Sequence, residues 1–83
     1  MDIIGAVEAI EGFLKTYESA GAKPTEVQVR PSGDDVNVIK VWVDLGTSKI
    51  DTHAWAKACE AAIKKSVPAA AAFEIAVRAE AGG

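Results

Sequence analysis

Apolar residues recur at helical spacing at the start of the chain. The intervals are four, three, four and three residues, and the residues are Ile3, Val7, Ile10, Leu14 and Tyr17. At about 100° per residue these positions share one face, which predicts an amphipathic helix. Asp2 is a good N-cap, Gly21 is a typical helix stop, and Pro24 blocks continuation. We therefore predict a helix over residues 3–20.

The next segments alternate in the manner of strands. Residues 25–30 place valine at every second position, and residues 36–44 are rich in β-branched side chains. The turn-forming sequence Pro-Ser-Gly-Asp-Asp follows the first of them, so we expect the two strands to form a hairpin. Residues 73–79 alternate again and predict a last strand.

A second apolar stripe predicts a helix over residues 52–67. Asp51 or Thr52 would cap this helix, and Pro68 would end it. The helix connects the second strand to the third, so those two strands should run parallel. The order α-β-β-α-β predicts an α+β fold, a two-layer sandwich with two helices on one face of a three-stranded mixed sheet. With 83 residues the chain is expected to be a single domain with a tail at 80–83.

Strand alternation assigns each residue to one face of the sheet. The inner set, under the helices, is Val27, Val29, Ile39, Val41, Val43, Phe73, Ile75 and Val77. The outer set is Glu26, Gln28, Arg30, Val38, Lys40, Trp42, Glu74, Ala76 and Arg78. An uncovered sheet face is normally polar, whereas this one holds a tryptophan and two smaller apolar residues among charges.

This mixed outer face is the candidate site of interaction. An exposed tryptophan inside a polar rim is typical of an interface, and small domains often need a partner to complete their burial. We predict a homodimer, or a complex with another protein, through the sheet face or edge. The residues expected to carry the contact are Trp42, Val38, Lys40, Arg30, Ala76 and Arg78. The alternative is a cation–π lid, in which Trp42 lies flat over the stems of the basic side chains.

Composition narrows the classes of function. Hydrophobic residues make up 49% of the chain and charged residues 25%, as in ordinary globular proteins. The net charge of −3 argues against a nucleic-acid binder, and no apolar run approaches the roughly 18 residues of a membrane span. The single cysteine, Cys59, permits no intramolecular disulfide, and the first residues lack a secretory signal pattern. We expect a cytoplasmic protein that contacts no membrane.

Residues with catalytic or metal-binding chemistry are few. His53 and Glu60 stand seven positions apart, about 10 Å along a helix, which is too far to share one metal ion. Cys59 is expected in the core, without a base beside it. No phosphate-binding loop and no dinucleotide fingerprint occurs in the sequence. We therefore expect a non-catalytic domain with no cofactor.

Two other functions stay open. Acidic residues beside the 44–53 loop, Asp44 and Asp51, offer oxygen ligands for a divalent cation or a small ligand, as do Asp34 and Asp35 in the turn. Turn formation and helix capping also explain these residues. Alternatively, lysines give the second helix a basic side suited to nucleic acid, namely Lys49, Lys57, Lys64 and Lys65.

Several segments resemble a known domain family. The longest are EVQVRPSG (residues 26–33), VIKVWVD (38–44) and FEIAVRAE (73–80), with shorter matches at His53, Ala54, Ala58, Glu60, Ile63, Lys64, Val67 and Pro68. Together they are similar to the cytoplasmic C-terminal domain of cation diffusion facilitator transporters, which has the same order of elements. The resemblance implies a domain that dimerises and can bind regulatory metals. Arg78, however, stands where that family often has a metal-binding histidine, which argues against metal binding here.

Two further families share this order of elements. Ring-building motifs of secretion-system proteins resemble it in topology, and they assemble side by side. Type II KH domains of RNA-binding proteins also resemble it, but they require a G-x-x-G loop. The sequence contains no G-x-x-G, which argues further against nucleic acid as a partner.

Overall fold

The computed structural model describes residues 3–19, 21–47 and 49–81. In chain order these residues form α1 (Ile3–Leu14), β1 (Glu26–Pro31), β2 (Val38–Asp44), α2 (Thr52–Ser66), a short 3-10 helix (Pro68–Ala72) and β3 (Glu74–Glu80). The predicted α+β fold with the order α-β-β-α-β is confirmed. The limits of the strands and of α2 differ from the prediction by at most two residues. The predicted N-cap Asp2 and the tail residues Gly82 and Gly83 lie outside the described ranges.

The sheet has the strand order β1-β2-β3, with β2 in the centre. β1 pairs antiparallel with β2 as the predicted hairpin, and β3 pairs parallel with β2, as predicted from the connection through α2. Backbone hydrogen bonds continue both ladders beyond the strands. Thr25 N donates to Asp44 O over 2.7 Å, and Leu45 N donates to Glu80 O over 2.7 Å. Because β2 is central, the two edge strands of the sheet are β1 and β3.

The core lies between one face of the sheet and the two helices. Buried side chains on the inner face of the strands and just before β3 are Val29, Ile39, Val41, Val43, Phe73 and Ile75. The helices contribute Ala6, Ile10, Leu14, Trp55, Cys59 and Ile63. All of these belong to one hydrophobic cluster, so both helices cover the same face of the sheet. Burial of apolar surface is the dominant stabilising term for such a layer.

The first helix is shorter than predicted, because it ends at Leu14 and not at residue 20. Thr16 N donates to Phe13 O, and Tyr17 N donates to Leu14 O, both over 3.3 Å and both to a residue only three positions back. Thr16 Oγ1 also bonds to Phe13 O over 3.3 Å. Such local side-chain bonds compete with the helical pattern, so the helix tightens into a turn here.

The segment after α1 still reaches the core. Ser19 and Ala22 form an isolated antiparallel bridge around Gly21, whose φ of 78° favours glycine. The rings of Tyr17 and Trp55 pack in a T-shaped arrangement at a centroid distance of 5.4 Å. The buried Trp55 Nε1 donates to Ala22 O over 3.3 Å. The apolar stripe therefore predicted the buried side of Tyr17 correctly, although the residue lies outside the helix.

The second helix begins at its predicted cap. Asp51 Oδ1 accepts hydrogen bonds from His53 N over 3.0 Å and Ala54 N over 3.2 Å, which satisfies two free donors of the first turn. The helix ends before Val67, and Pro68 opens the 3-10 helix that leads into β3. Within the described ranges, no helix has the combination of length and apolar side chains that crossing a bilayer requires.

Candidate interaction surface

The six residues predicted to form the interface lie together on the outer face of the sheet, opposite the helices. The strand register arranges this face in rows that cross the strands. The central tryptophan row is Gln28, Trp42 and Arg78. On one side of it lies the basic row, Arg30, Lys40 and Ala76, followed by Val38 beside Glu74. On the other side lies the acidic row, Glu26, Asp44 and Glu80. Rows follow one another at about 6.6 Å, which is two residues along a strand.

Trp42 is half-buried, whereas the sequence predicts an exposed tryptophan at this position. Gln28 and Arg78 are its direct neighbours on the two adjacent strands. Among the described residues, no cation stacks on this ring and no acceptor bonds to its indole N–H. The cation–π lid is therefore not formed, and the rest of the ring faces outward.

Charges of the same sign are neighbours on this face. Arg30 stands directly opposite Lys40 in the basic row. In the acidic row, Asp44 stands opposite both Glu26 and Glu80. Like charges directly opposite each other destabilise a sheet. The outer face is thus polarised along its strands, with the basic and acidic rows about 13 Å apart.

One ion pair crosses from the tryptophan row to the acidic row. Arg78 Nε lies 3.1 Å from Glu80 Oε1, and the two side chains are 79% and 48% exposed. A pair so exposed adds little to the stability of the fold, but it neutralises the charge of the tryptophan row. In the part of the chain that the structure describes, no ionic partner is present for Arg30, Lys40 or Glu26.

A shallow hollow of about 430 Å³ lies on the outer face between the tryptophan row and the basic row. Its outer-face lining is Gln28, Arg30, Lys40, Trp42, Ala76 and Arg78. Five of the six predicted interface residues therefore surround one concave feature, and Val38 adjoins the basic row. The outer face is therefore concave between these two rows.

Groups with reactive chemistry are dispersed. Cys59 is fully buried, and desolvation raises the pKa of its thiol from 9.0 to about 12, so the thiol stays protonated. His53 is exposed in the first turn of α2. Asp35, Asp44 and Asp51 each accept a backbone N–H through Oδ1, in turns or at the helix cap. Within the described ranges, no three His, Cys, Asp or Glu side chains are close enough to hold a metal ion.

Of the four lysines considered for nucleic acid, three lie on α2, namely Lys57, Lys64 and Lys65, and Lys49 precedes the helix. Lys57 and Lys64 are exposed and share a shallow surface depression with the half-buried Glu60. Lys64 and Lys65 occupy the last turn of α2, where positive charge interacts favourably with the helix dipole. Local helix electrostatics accounts for the positions of Lys64 and Lys65.

A second hollow lies at the turn end of the sheet and has a different character. Its lining includes Ile3, Val36 and Phe73 and contains no charged side chain. Val36 is 79% exposed, more than any other large apolar side chain among the described residues. Because it is apolar, exposed and separate from the outer face, Val36 is a suitable control position for experiments on Trp42.

Three residues of the outer face and the core were not predicted from the sequence. Asp44 and Glu80 extend the outer face beyond the predicted outer set and complete the acidic row. Leu45 is 1% exposed, although it follows the last residue of β2. All three continue the alternation of their strands, so the period-two pattern already contained the signal. Which residues are their neighbours on the adjacent strands follows only from the strand register of the structure.

Comparison with known proteins adds no identification. No protein-family model matches the chain, and no curated protein or solved structure matches it. The resemblance to the cation diffusion facilitator domain therefore stays a prediction. The function has to be inferred from the outer face itself.

Proposed function

We propose that this protein is a non-catalytic domain that associates with a second copy of itself through the outer face of its sheet. The observation that carries the proposal is the half-buried Trp42 at the centre of a face that the helices leave uncovered. The resemblance to a family of dimerising domains points in the same direction.

The composition of the outer face supports a contact surface. Trp42 and Ala76 provide apolar surface near its centre and Val38 adds to it at the turn end of β2, with charged side chains around them. A central aromatic residue within a polar rim is the usual anatomy of an interface. Packing a second face against this one would remove the rest of the indole from water, at about 25 cal/mol per Å² of apolar surface.

The distribution of charge favours a second copy over an unrelated partner. The face carries an acidic row and a basic row on one surface, so two copies can supply each other's opposite charges without any further partner. The net charge of −3 opposes such pairing only weakly. Charges separated by more than about 8 Å are largely screened at physiological ionic strength.

The size of the face sets the expected strength. Three strands about 4.8 Å apart and seven residues of about 3.3 Å each give a face of roughly 14 by 23 Å. Two such faces present roughly 640 Å² in total, below the roughly 1,200 Å² at which standard specific interfaces begin, so the contact belongs to the weak, transient class. We therefore expect a reversible dimer with a dissociation constant on the order of micromolar, and not an obligate one.

Sedimentation equilibrium from micromolar to millimolar concentration tests the proposal. We expect a monomer–dimer equilibrium in the wild type. Trp42→Ala should weaken association by about 2 kcal/mol, or about 30-fold in the dissociation constant, because the central anchor is lost. The control Val36→Ala removes an exposed apolar side chain elsewhere and should leave the constant unchanged.

Two results would contradict the proposal in different ways. A wild-type protein that stays monomeric at millimolar concentration would exclude self-association. A dimer that Trp42→Ala leaves intact would exclude the outer face and move the contact to an edge strand, β1 or β3.

A further inference from the structure

We infer that the two copies pack with their β2 strands antiparallel, related by a two-fold axis across the strands, so that each acidic row faces the other copy's basic row. This inference rests on the proposed self-association through the outer face. It adds the orientation of the second copy and the residues that select it.

Symmetry limits the possible arrangements. Two identical sheet faces with aligned strands can be related by a two-fold axis that runs along the strands or across them. An axis along the strands places each row over the same row of the second copy. Asp44 then faces Asp44, and Lys40 faces Lys40, so every charged row meets its own sign.

An axis across the strands inverts the order of the rows. With the axis at the tryptophan row, β1 lies over β1 and β2 lies over β2 of the second copy. The register then places Glu26 opposite Arg30 of the second copy, and Asp44 opposite Lys40 of the second copy. Each of these contacts occurs twice, because the interface is two-fold symmetric.

The tryptophan row can face itself in this arrangement. Gln28 is neutral, and the indole of Trp42 meets the indole of the second copy. Arg78 faces Arg78 of the second copy at the axis, and each is paired with Glu80 of its own copy over 3.1 Å, which offsets the charge of both. The two indoles lose their remaining exposure together, which adds apolar burial at the centre of the contact.

Charges within one copy cannot replace these contacts. Arg30 and Lys40 are neighbours of the same sign, and so are Glu26 and Asp44. The opposite rows lie about 13 Å apart, farther than the screening length of about 8 Å. Only a second copy in the inverted orientation brings the charges of these two rows to contact distance.

Charge reversal on β1 tests the orientation. Glu26 and Arg30 are both exposed, and each faces a like charge across the strand pair within its own copy. Glu26→Lys or Arg30→Glu therefore improves the cross-strand pair within the monomer, so loss of fold is not expected. Between copies, each reversal turns two attractions into repulsions and should raise the dissociation constant about tenfold.

The double variant provides the decisive result. Glu26→Lys with Arg30→Glu restores opposite charges between copies and should return the dissociation constant to within about threefold of wild type. As controls, Glu8→Lys on α1 and Lys57→Glu on α2 change the net charge equally on exposed helix positions. These two variants should leave association unchanged.

The outcomes separate the orientation from the association itself. If the single reversals have no effect, or if the double variant is as weak as the singles, positions 26 and 30 do not face each other and the orientation is overturned. In that case the Trp42→Ala result still decides whether the outer face is the interface. If the wild type is monomeric throughout, the proposed function fails and the orientation fails with it.

Discussion

The inner and outer faces of the sheet alternate along the same strands but are stabilised differently. On the inner face, β2 contributes Ile39, Val41 and Val43, none more than 2% exposed. On the outer face, the residues between them are Lys40, which is exposed, and Trp42, which is half-buried. Similar side chains are neighbours on both faces. Contact between apolar neighbours removes their surface from water and stabilises the fold, whereas neighbouring charges of the same sign repel each other. Within one molecule, therefore, the contacts on the inner face are favourable and the charge contacts across the strands of the outer face are not.

The two tryptophans show what this difference means for function. Trp55 is 2% exposed, and its indole N–H donates to Ala22 O over 3.3 Å. Trp42 keeps part of its ring outside, and no acceptor among the described residues bonds to it. Trp55 is therefore a core residue, whereas Trp42 keeps part of its surface exposed to solvent. They provide matched probes of the two faces.

The largest expected effect is the loss of Trp55. Trp55→Ala should lower the free energy of unfolding by about 3–5 kcal/mol, because it leaves a cavity and removes a buried hydrogen bond. That is a large share of the stability of a small domain. Trp42→Ala should lower the free energy of unfolding by less, about 1–2 kcal/mol, because only part of its side chain is removed from water in the monomer. Urea denaturation followed by circular dichroism, at concentrations below the dimer range, measures both variants.

If Trp42→Ala and Trp55→Ala lowered the free energy of unfolding equally, the contrast between the outer and inner faces would be contradicted. Equal losses would show that Trp42 is a structural residue of the monomer, with little surface left for a partner.

The buried thiol of Cys59 should make the free energy of unfolding decrease at high pH. Burial raises the pKa of Cys59 from 9.0 to about 12, so the folded protein retains the thiol proton after the unfolded chain has released it. The free energy of unfolding should therefore decrease as pH rises from about 9 toward 12, by about 1 kcal/mol per pH unit from this group. Urea denaturation under reducing conditions at pH 8 and pH 10.5 measures the change.

Cys59→Ala is the control for this pH dependence, because it removes the buried thiol and leaves every other group of the chain in place. The variant should lose less stability between the two pH values than the wild type. The same loss in both proteins would show that the thiol is not buried as described.

The two faces also differ in how far the sequence could predict them. Alternation of valine and isoleucine identifies the inner face, because a shift of one residue would exchange the faces of a strand. The end of α1 was missed because Tyr17 continues the apolar stripe while it packs against Trp55 from a turn. The rows of the outer face depend on the register between β2 and β3, which are separated by a whole helix. No local pattern specifies which side chains of such strands become neighbours.

The smallest expected effect concerns the like charges of the basic row. Arg30→Glu places a carboxylate opposite Lys40 and should raise the free energy of unfolding of the monomer by about 0.5 kcal/mol. The gain should vanish at 1 M NaCl, where screening acts over about 3 Å. Urea denaturation at low protein concentration, at both salt levels, measures it. A loss of stability at low salt would mean that Arg30 supports the monomer through contacts of its own.

The most direct test of the outer face as an interface is a dilution series followed by NMR of the two indole N–H groups. We expect the Trp42 signal to shift between micromolar and millimolar concentration, as its ring enters the contact. The Trp55 signal should stay fixed, because Ala22 O holds its N–H inside the core. A Trp42 signal that is as constant as that of Trp55 over the whole range would contradict the account.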